Sequence, residues 1–264
     1  MHLKSMYDFT NYLFDLDGTI YLGGEVIHGA ASTIENLRRR EKKILFATNT
    51  TMYTRQEVRD KLLGFGIHCM TEEIMTALSV ASMYFRDHAS GAKVLLFGGD
   101  AMREELEQGG ITITEQAEQA THVLVGLDKS FDFDKLTIGM NAVRNGARLI
   151  GANPDPFCPT DTGAIPDTGS LVKAIETASA LPAYEIVGKP SKYYAAYALQ
   201  QMNGSAEASL IIGDRLDTDI VLGNRYGMYT ALVLSGVDSQ EGIARTGIQP
   251  DYVWSSVGVF LEEK

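Results

Sequence analysis

From Asn11 onward, short apolar runs rich in β-branched and aromatic residues alternate with stretches whose apolar residues recur at helical spacing. Few folds answer to that alternation. Parallel strands need a long crossover between neighbours, the crossover is usually a helix, and helices on the sheet faces leave the strands buried on both sides. NYLFDLD, KILFATN, KVLLFGG, THVLVGLD, RLIGANP, YEIVGKP, ASLIIGD, YTALVLSG and DYVWSS read as strands. AASTIENLRRREK, TRQEVRDKLLGFG, DAMREELEQGG, FDKLTIGMNAVRNG and TGSLVKAIETASA read as helices. The expected fold class is therefore α/β, and the polar residues at strand ends decide between one barrel and an open sheet.

In open α/β sheets the ligand sits beyond the carboxyl ends of the strands. Four such ends carry reactive polar groups: Asp15 and Asp17 in FDLDGT, Thr48 and Asn49 in ATNTT, Lys189 in VGKP, and Asp214 in IIGDRLDTD with Asp217 and Asp219 beyond it. Asp15 and Asp17 lie two positions apart, and Gly18 permits a sharp turn that re-aims the second carboxylate. Clustered carboxylates repel, and burying them unpaired costs several kcal/mol, so a divalent cation is the simplest compensation. Mg²⁺ takes hard oxygen ligands and keeps several waters, and the expected set is Asp15 and Asp214 with the backbone carbonyl of Asp17, with Asp219 beside the metal, reaching it through water rather than directly.

A strand-end carboxylate can attack phosphorus and form an aspartyl-phosphate. Asp15 is the expected nucleophile, and Asp17 is expected to protonate the leaving alkoxide and then deprotonate the attacking water. The Thr48 hydroxyl, the amides after it and the Lys189 ammonium would bind the phosphoryl oxygens, where charge is redistributed in the transition state. Gly18, Asn49 and Thr50 join Thr48 and Lys189 as expected substrate-binding residues.

The four motifs DLDGT, TN, GKP and GDRLDTD, in this order, resemble those of the haloacid dehalogenase superfamily, and the resemblance covers nearly the whole chain. It implies a Rossmann-like doubly wound parallel sheet, a Mg²⁺ cofactor and, through the second Asp of DLDGT, a phosphatase or phosphotransferase. Between Asp15 and Thr48 lie only 33 positions of chain, whereas 141 separate Thr48 from Lys189. The excess is expected to form an α/β cap domain at 80–183, inserted into a discontinuous core at 1–79 and 184–264. An insertion at this point resembles the NagD and p-nitrophenyl phosphatase branch, as do GDRLDTDI and GANPDPFCPTDTGAIPDTGSL.

The branch resemblance further implies that the cap covers the site and that the stretch from Asn153 to Pro159, with Asp155 and Cys158, helps choose the leaving group. Pyridoxal-phosphatase-like relatives carry a histidine where Cys158 stands here, which weakens that substrate assignment. Thr50 replaces the second Asn of the commoner TNN form and can still donate a hydrogen bond. The expected activity is hydrolysis of small phosphorylated metabolites, foremost sugar phosphates. A nucleotide monophosphate or pyridoxal phosphate phosphatase is the alternative within the class, and a non-catalytic sensor of phosphorylated metabolites the alternative outside it. A homodimer through the cap agrees with the resemblance.

Charge narrows the partners. With 34 acidic against 23 basic side chains and a formal charge of −11, general affinity for nucleic acid polymers or an anionic membrane is disfavoured. An acidic protein handling an anionic substrate must supply positive charge locally. No membrane-span window or signal-type segment is present in the sequence, so a cytoplasmic location is expected. Cys69 and Cys158 belong to no CxxC or Cys/His cluster, and the five histidines lack metal-ligand spacing. A GxGxxG between the first strand and helix is missing, which argues against a dinucleotide-dependent oxidoreductase.

Overall fold

A computed structural model describes residues 4–160 and 163–261. The chain divides into two compact units, one of Met1–Thr48, Arg55–Met75 and Tyr194–Lys264, the other of Asn49–Thr54 and Thr76–Tyr193.

The first unit is built on a six-stranded sheet in the order Tyr252–Trp254, Tyr229–Val233, Ser209–Gly213, Asn11–Phe14, Lys43–Thr48, Ile74–Thr76. Asn11–Phe14 is central and all four residues are buried, as expected where helices cover both faces of a parallel sheet. It pairs in parallel with Ser209–Gly213 on one side and Lys43–Thr48 on the other, with Phe14 opposite both Ile212 and Phe46. Each fully buried Leu or Phe here contributes about 1.5–3 kcal/mol. Even the polar start of the strand is satisfied, because the Asn11 amide donates to Ser209 Oγ at 3.1 Å, directly across the ladder. That register brings the carboxyl ends of the three central strands to one edge, just where Asp15, Asp214 and Thr48 occur in sequence.

The helix Ala30–Arg39 buries Ile34 and Leu37 against the core that holds Phe9, Tyr12, Phe14 and Phe260. A two-stranded antiparallel hairpin, Tyr21–Leu22 with Glu25–Val26, follows directly on the first strand. Its two-residue arms give no periodicity to read from sequence.

The second unit has its own five-stranded sheet, ordered Glu185–Ile186, Arg148–Gly151, His122–Val125, Lys93–Phe97, Thr112–Ile113, with every neighbouring pair parallel. The strand ahead of Lys189 thus belongs to this sheet. The helices Phe133–Arg144 and Thr168–Ser179 cover it and share a core with Leu95, Phe97, Val123 and Leu149. Gly139 lets the first of them lie close, since a Cβ there would stand 2.8 Å from the Phe97 ring. The strands Phe157–Thr160 and Gly163–Pro166 form an antiparallel hairpin in which Cys158 faces Ile165. Asp161 and Thr162, part of the stretch that resembles the NagD branch, lie outside the described residues. Among the described residues no helix is long and apolar enough to cross a membrane.

Candidate active site

At the carboxyl edge of the first sheet, Asp15, Asp214 and Asp219 each offer a carboxylate oxygen within 4.8 Å of the others. All three are buried. The Asp15 amide donates to the Ile212 carbonyl at 2.8 Å, extending the ladder by one residue and holding this carboxylate to the rigid centre of the sheet. Asp214 follows the last residue of the neighbouring strand. Asp219 is carried by a π-helical turn, Leu216–Ile220, a local irregularity common at functional sites.

Glycines make the cluster possible. A Cβ on Gly213 would lie 2.2 Å from Asp219 Cγ, and one on Gly18 would lie 2.3 Å from Asp214 Oδ2. Gly18 also has φ of 80°, where a side chain is strained in any case.

Asp214 carries the electrostatic burden of this arrangement. Burial first, and then the Asp15 and Asp219 carboxylates, push its carboxyl well above the ordinary range. The Val237 amide donates to Oδ2 at 2.7 Å and offsets part of that. Oδ1 is buried with no hydrogen-bond partner among the described residues. Three buried carboxylates, one with an orphaned oxygen, are a donor set that fits a hard divalent cation such as Mg²⁺.

Asp17 differs from its neighbour two residues back. Its side chain is exposed and stands outside the three-carboxylate group. It accepts a hydrogen bond from the Tyr21 hydroxyl at 3.4 Å. Asp217 is exposed and pairs with Arg215, Nε to Oδ1, at 3.6 Å. Thr48 ends its strand buried, and its carbonyl accepts the Tyr194 hydroxyl at 3.2 Å.

In the second unit, Asn49 gathers the other sequence-predicted residues. Its side-chain oxygen accepts the Lys189 amide at 2.8 Å. Its nitrogen donates to the Lys189 carbonyl at 3.1 Å and to Asp155 Oδ2 at 3.0 Å. Asn153 donates to the Asn49 carbonyl at 2.8 Å and accepts the Asp155 amide at 3.0 Å. The carboxamides of Asn49 and Asn153 are therefore engaged in holding Lys189 and Asp155 in place. Lys189 is 2% exposed, a degree of burial that lysines almost never show unless paired. A Cβ on Gly188 would lie 2.8 Å from Asn49 Oδ1, which explains the glycine of GKP. The Thr50 hydroxyl accepts the Met52 amide at 3.2 Å. Cys158 is a half-buried thiol on the hairpin and, like Cys69, belongs to no disulfide. Burial pushes the Cys69 thiol up to about 11, so it remains protonated.

Sequence reasoning passed over the segment Ser235–Asp238. Ser235 donates to the Gly18 carbonyl at 2.7 Å, Val237 holds Asp214, and Asp238 accepts the Leu216 amide at 2.8 Å through its side chain. A Cβ on Gly236 would come 2.0 Å from Asp214 Oδ2. The available signal was the SG pair closing YTALVLSG, a glycine at one more strand end on the same edge.

Comparison with known proteins agrees with this geometry. A model of haloacid dehalogenase-like hydrolases matches residues 12–112, and a second, HAD-hydrolase-like model matches 186–259. The chain is 36% identical to the sugar-phosphatase AraL of Bacillus subtilis over 93% of its own length and 89% of that protein's. The p-nitrophenyl phosphatase of Archaeoglobus fulgidus superposes with a TM-score of 0.92 at 30% identity, covering 97% of this chain and 100% of that one. NagD of E. coli K-12 superposes with a TM-score of 0.87, also at 30% identity, covering 95% of this chain and 97% of that one. The chain belongs to the haloacid dehalogenase-like hydrolases, in the phosphatase branch that includes NagD and the p-nitrophenyl phosphatases.

Proposed function

We propose that this phosphatase hydrolyses small phosphate monoesters, foremost sugar phosphates, through an aspartyl-phosphate on Asp15 and with Mg²⁺ as cofactor. The observation that carries the reading is the buried group of Asp15, Asp214 and Asp219 with its orphaned Asp214 oxygen. The sugar-phosphate preference rests on relatives such as AraL. Bound there, a divalent cation would neutralise the carboxylates and lower the repulsion that Asp15 presents to an incoming anionic phosphate.

In the first step an Asp15 carboxylate oxygen bonds to phosphorus, the ester P–O bond breaks, and Asp17 gives its proton to the departing alkoxide oxygen. In the second step the Asp17 carboxylate takes a proton from water, and the hydroxide bonds to phosphorus. The bond from phosphorus to Asp15 then breaks, releasing inorganic phosphate and restoring the nucleophile. The two carboxyls suit these roles because their surroundings differ: Asp15 is fixed and buried, Asp17 exposed and within reach of solvent. Thr48 and Lys189 are assigned to the phosphoryl oxygens by their motifs, and Asp155 and Cys158 to the choice of leaving group by family resemblance.

The test is phosphate release from p-nitrophenyl phosphate and a panel of sugar, nucleotide and cofactor monophosphates, with Mg²⁺ and with chelator. Asp15→Asn is expected to lower kcat by at least ~10³-fold, about 4 kcal/mol of barrier. Release that survives chelation, or a variant keeping more than about a tenth of the activity, a barrier loss below ~1.4 kcal/mol, contradicts the proposal.

A further inference from the structure

We infer that Asp238 is a positioning residue for the divalent cation, acting through the two segments that carry Asp214 and Asp219; the inference rests on the function proposed above and adds to it. Asp238 stands half-buried in the loop after the strand Tyr229–Val233, which neighbours Ser209–Gly213 in the first sheet. Its backbone amide donates to the Asp214 carbonyl at 3.1 Å, and its Oδ2 accepts the Leu216 amide at 2.8 Å. One residue thus fastens both the strand-end aspartate and the start of the π-turn Leu216–Ile220, on which Asp219 is carried. The residue before it completes the arrangement. The Val237 amide takes Asp214 Oδ2 at 2.7 Å, leaving Oδ1, which has no hydrogen-bond partner among the described residues, for a cation.

The turn needs such a partner. The first amides of a helical turn have no acceptor within it, and a side chain just ahead often supplies one. Here the residue ahead is Arg215, whose guanidinium only donates. Asp238 provides the acceptor from 22 residues away and places a negative charge at the turn's N-terminal end, where it is favoured. Packing also holds the turn, since Leu216 and Ile220 are buried against Leu232. Apolar contact is non-directional, however, whereas a 2.8 Å hydrogen bond fixes where the backbone at Leu216 lies and so how the turn presents Asp219.

Groups that orient metal ligands typically change metal affinity by about 10–100-fold when removed. With the Leu216 amide unanchored, only a fraction of molecules hold the turn in the competent arrangement, and apparent affinity falls by that fraction. Saturating metal draws the rest into it, so turnover returns. The experiment titrates MgCl₂ alone into wild type, Asp238→Ala and Asp238→Asn, following the rise of each protein's melting temperature above its own metal-free value. Hydrolysis of p-nitrophenyl phosphate is measured over the same Mg²⁺ range. We expect Asp238→Ala to need about tenfold more Mg²⁺ for the same rise and for half-maximal activity, with kcat at saturating Mg²⁺ within about twofold of wild type. Asp238→Asn loses the charge but keeps an oxygen for the Leu216 amide, so it is expected to stay within about threefold of wild type in Mg²⁺ requirement.

Wild-type Mg²⁺ affinity in Asp238→Ala, or equal weakening in the alanine and asparagine variants, would overturn the inference while leaving the phosphatase reading intact. The first result would mean that packing alone sets the turn, the second that the carboxylate acts by its charge. The metal reading fails separately, if wild type gains no thermal stability from Mg²⁺ and releases phosphate equally well in chelator. Should Asp238→Ala fail to fold, Asp238→Leu, with the same branching but no acceptor, is expected to show the same weakening of about tenfold, and unchanged affinity there would overturn the inference equally.

Discussion

Asp15 and Asp17 are two residues apart and chemically alike, yet the fold gives them different surroundings. One is tied into the sheet and buried among carboxylates, while the other turns outward through Gly18 to a tyrosine hydroxyl. Gly18 is the residue on which this separation depends. Its φ of 80° costs any other L-residue about 1–2 kcal/mol, and a Cβ would stand 2.3 Å from Asp214 Oδ2. Gly18→Ala is therefore expected to lower stability by more than the backbone cost alone and to depress kcat, because Asp214 must shift to admit the methyl group. Thermal melting and phosphate release on the same preparation check this. A variant that melts and turns over like wild type would show that the glycine serves the turn without crowding Asp214. At this scale much was legible: a glycine after two strand-end aspartates already implies a turn no branched residue could make. The crowding that demands Gly213 and Gly236 was not legible, since it comes from Asp219 and Asp214 folding back across chain that no local pattern links to them.

Elements were legible in proportion to their length. The strand Asn11–Phe14 and the helix Ala30–Arg39 follow directly from apolar runs and helical spacing. The hairpin at Tyr21–Val26 has arms too short to show a period, and the π-turn at Leu216–Ile220 has none and leans on a hydrogen bond from the Leu216 amide to Asp238, 22 residues on. Glu185–Ile186 has two residues, and nothing within it says which sheet it joins; its pairing with Arg148–Gly151 settles the matter. One junction in the second unit makes a prediction at this scale. Asp128, just after the strand His122–Val125, accepts the Lys135 ammonium at 2.6 Å and the Ser130 hydroxyl at 2.7 Å, fastening that strand end to the helix Phe133–Arg144. Burial alone would raise the Asp128 carboxyl, but hydrogen bonds from Lys135 and Ser130 outweigh it and hold the group below its ordinary value. A depressed folded-state value means the contribution to stability is complete above the unfolded carboxylate range and is lost as pH falls through the folded value. Asp128→Asn should thus cost about 1–3 kcal/mol at neutral pH, with the gap to wild type closing below about pH 4. Melting curves across pH test it, and a gap that stays constant with pH would exclude a charge-dependent contribution.

For the whole molecule, the acidic balance and the chemistry bear on each other. A chain with a formal charge of −11 repels phosphate esters at long range, so attraction has to be local. The candidate sources are a cation among Asp15, Asp214 and Asp219, and the buried Lys189 held by Asn49. Motif order singled out these residues in the sequence; Asp15 and Asp214 meet because the ends of neighbouring strands in one parallel sheet share an edge, whereas Lys189 follows a strand of the second sheet. The roles of Asn153 and Asp155 were not readable in the same way: their hydrogen bonds to Asn49 span more than a hundred residues and follow no strand register. The central claim is that Asp15 itself takes up the phosphoryl group. The most direct test is to mix enzyme, Mg²⁺ and a sugar phosphate, quench with acid within the first turnover, and locate phosphate on peptides by mass spectrometry. The account predicts an added phosphoryl group on the peptide containing Asp15, absent from Asp15→Asn and cleared as substrate is exhausted. Active enzyme that accumulates phosphate product with no phosphorylated Asp15 peptide at any quench time would contradict it and point to direct attack by water.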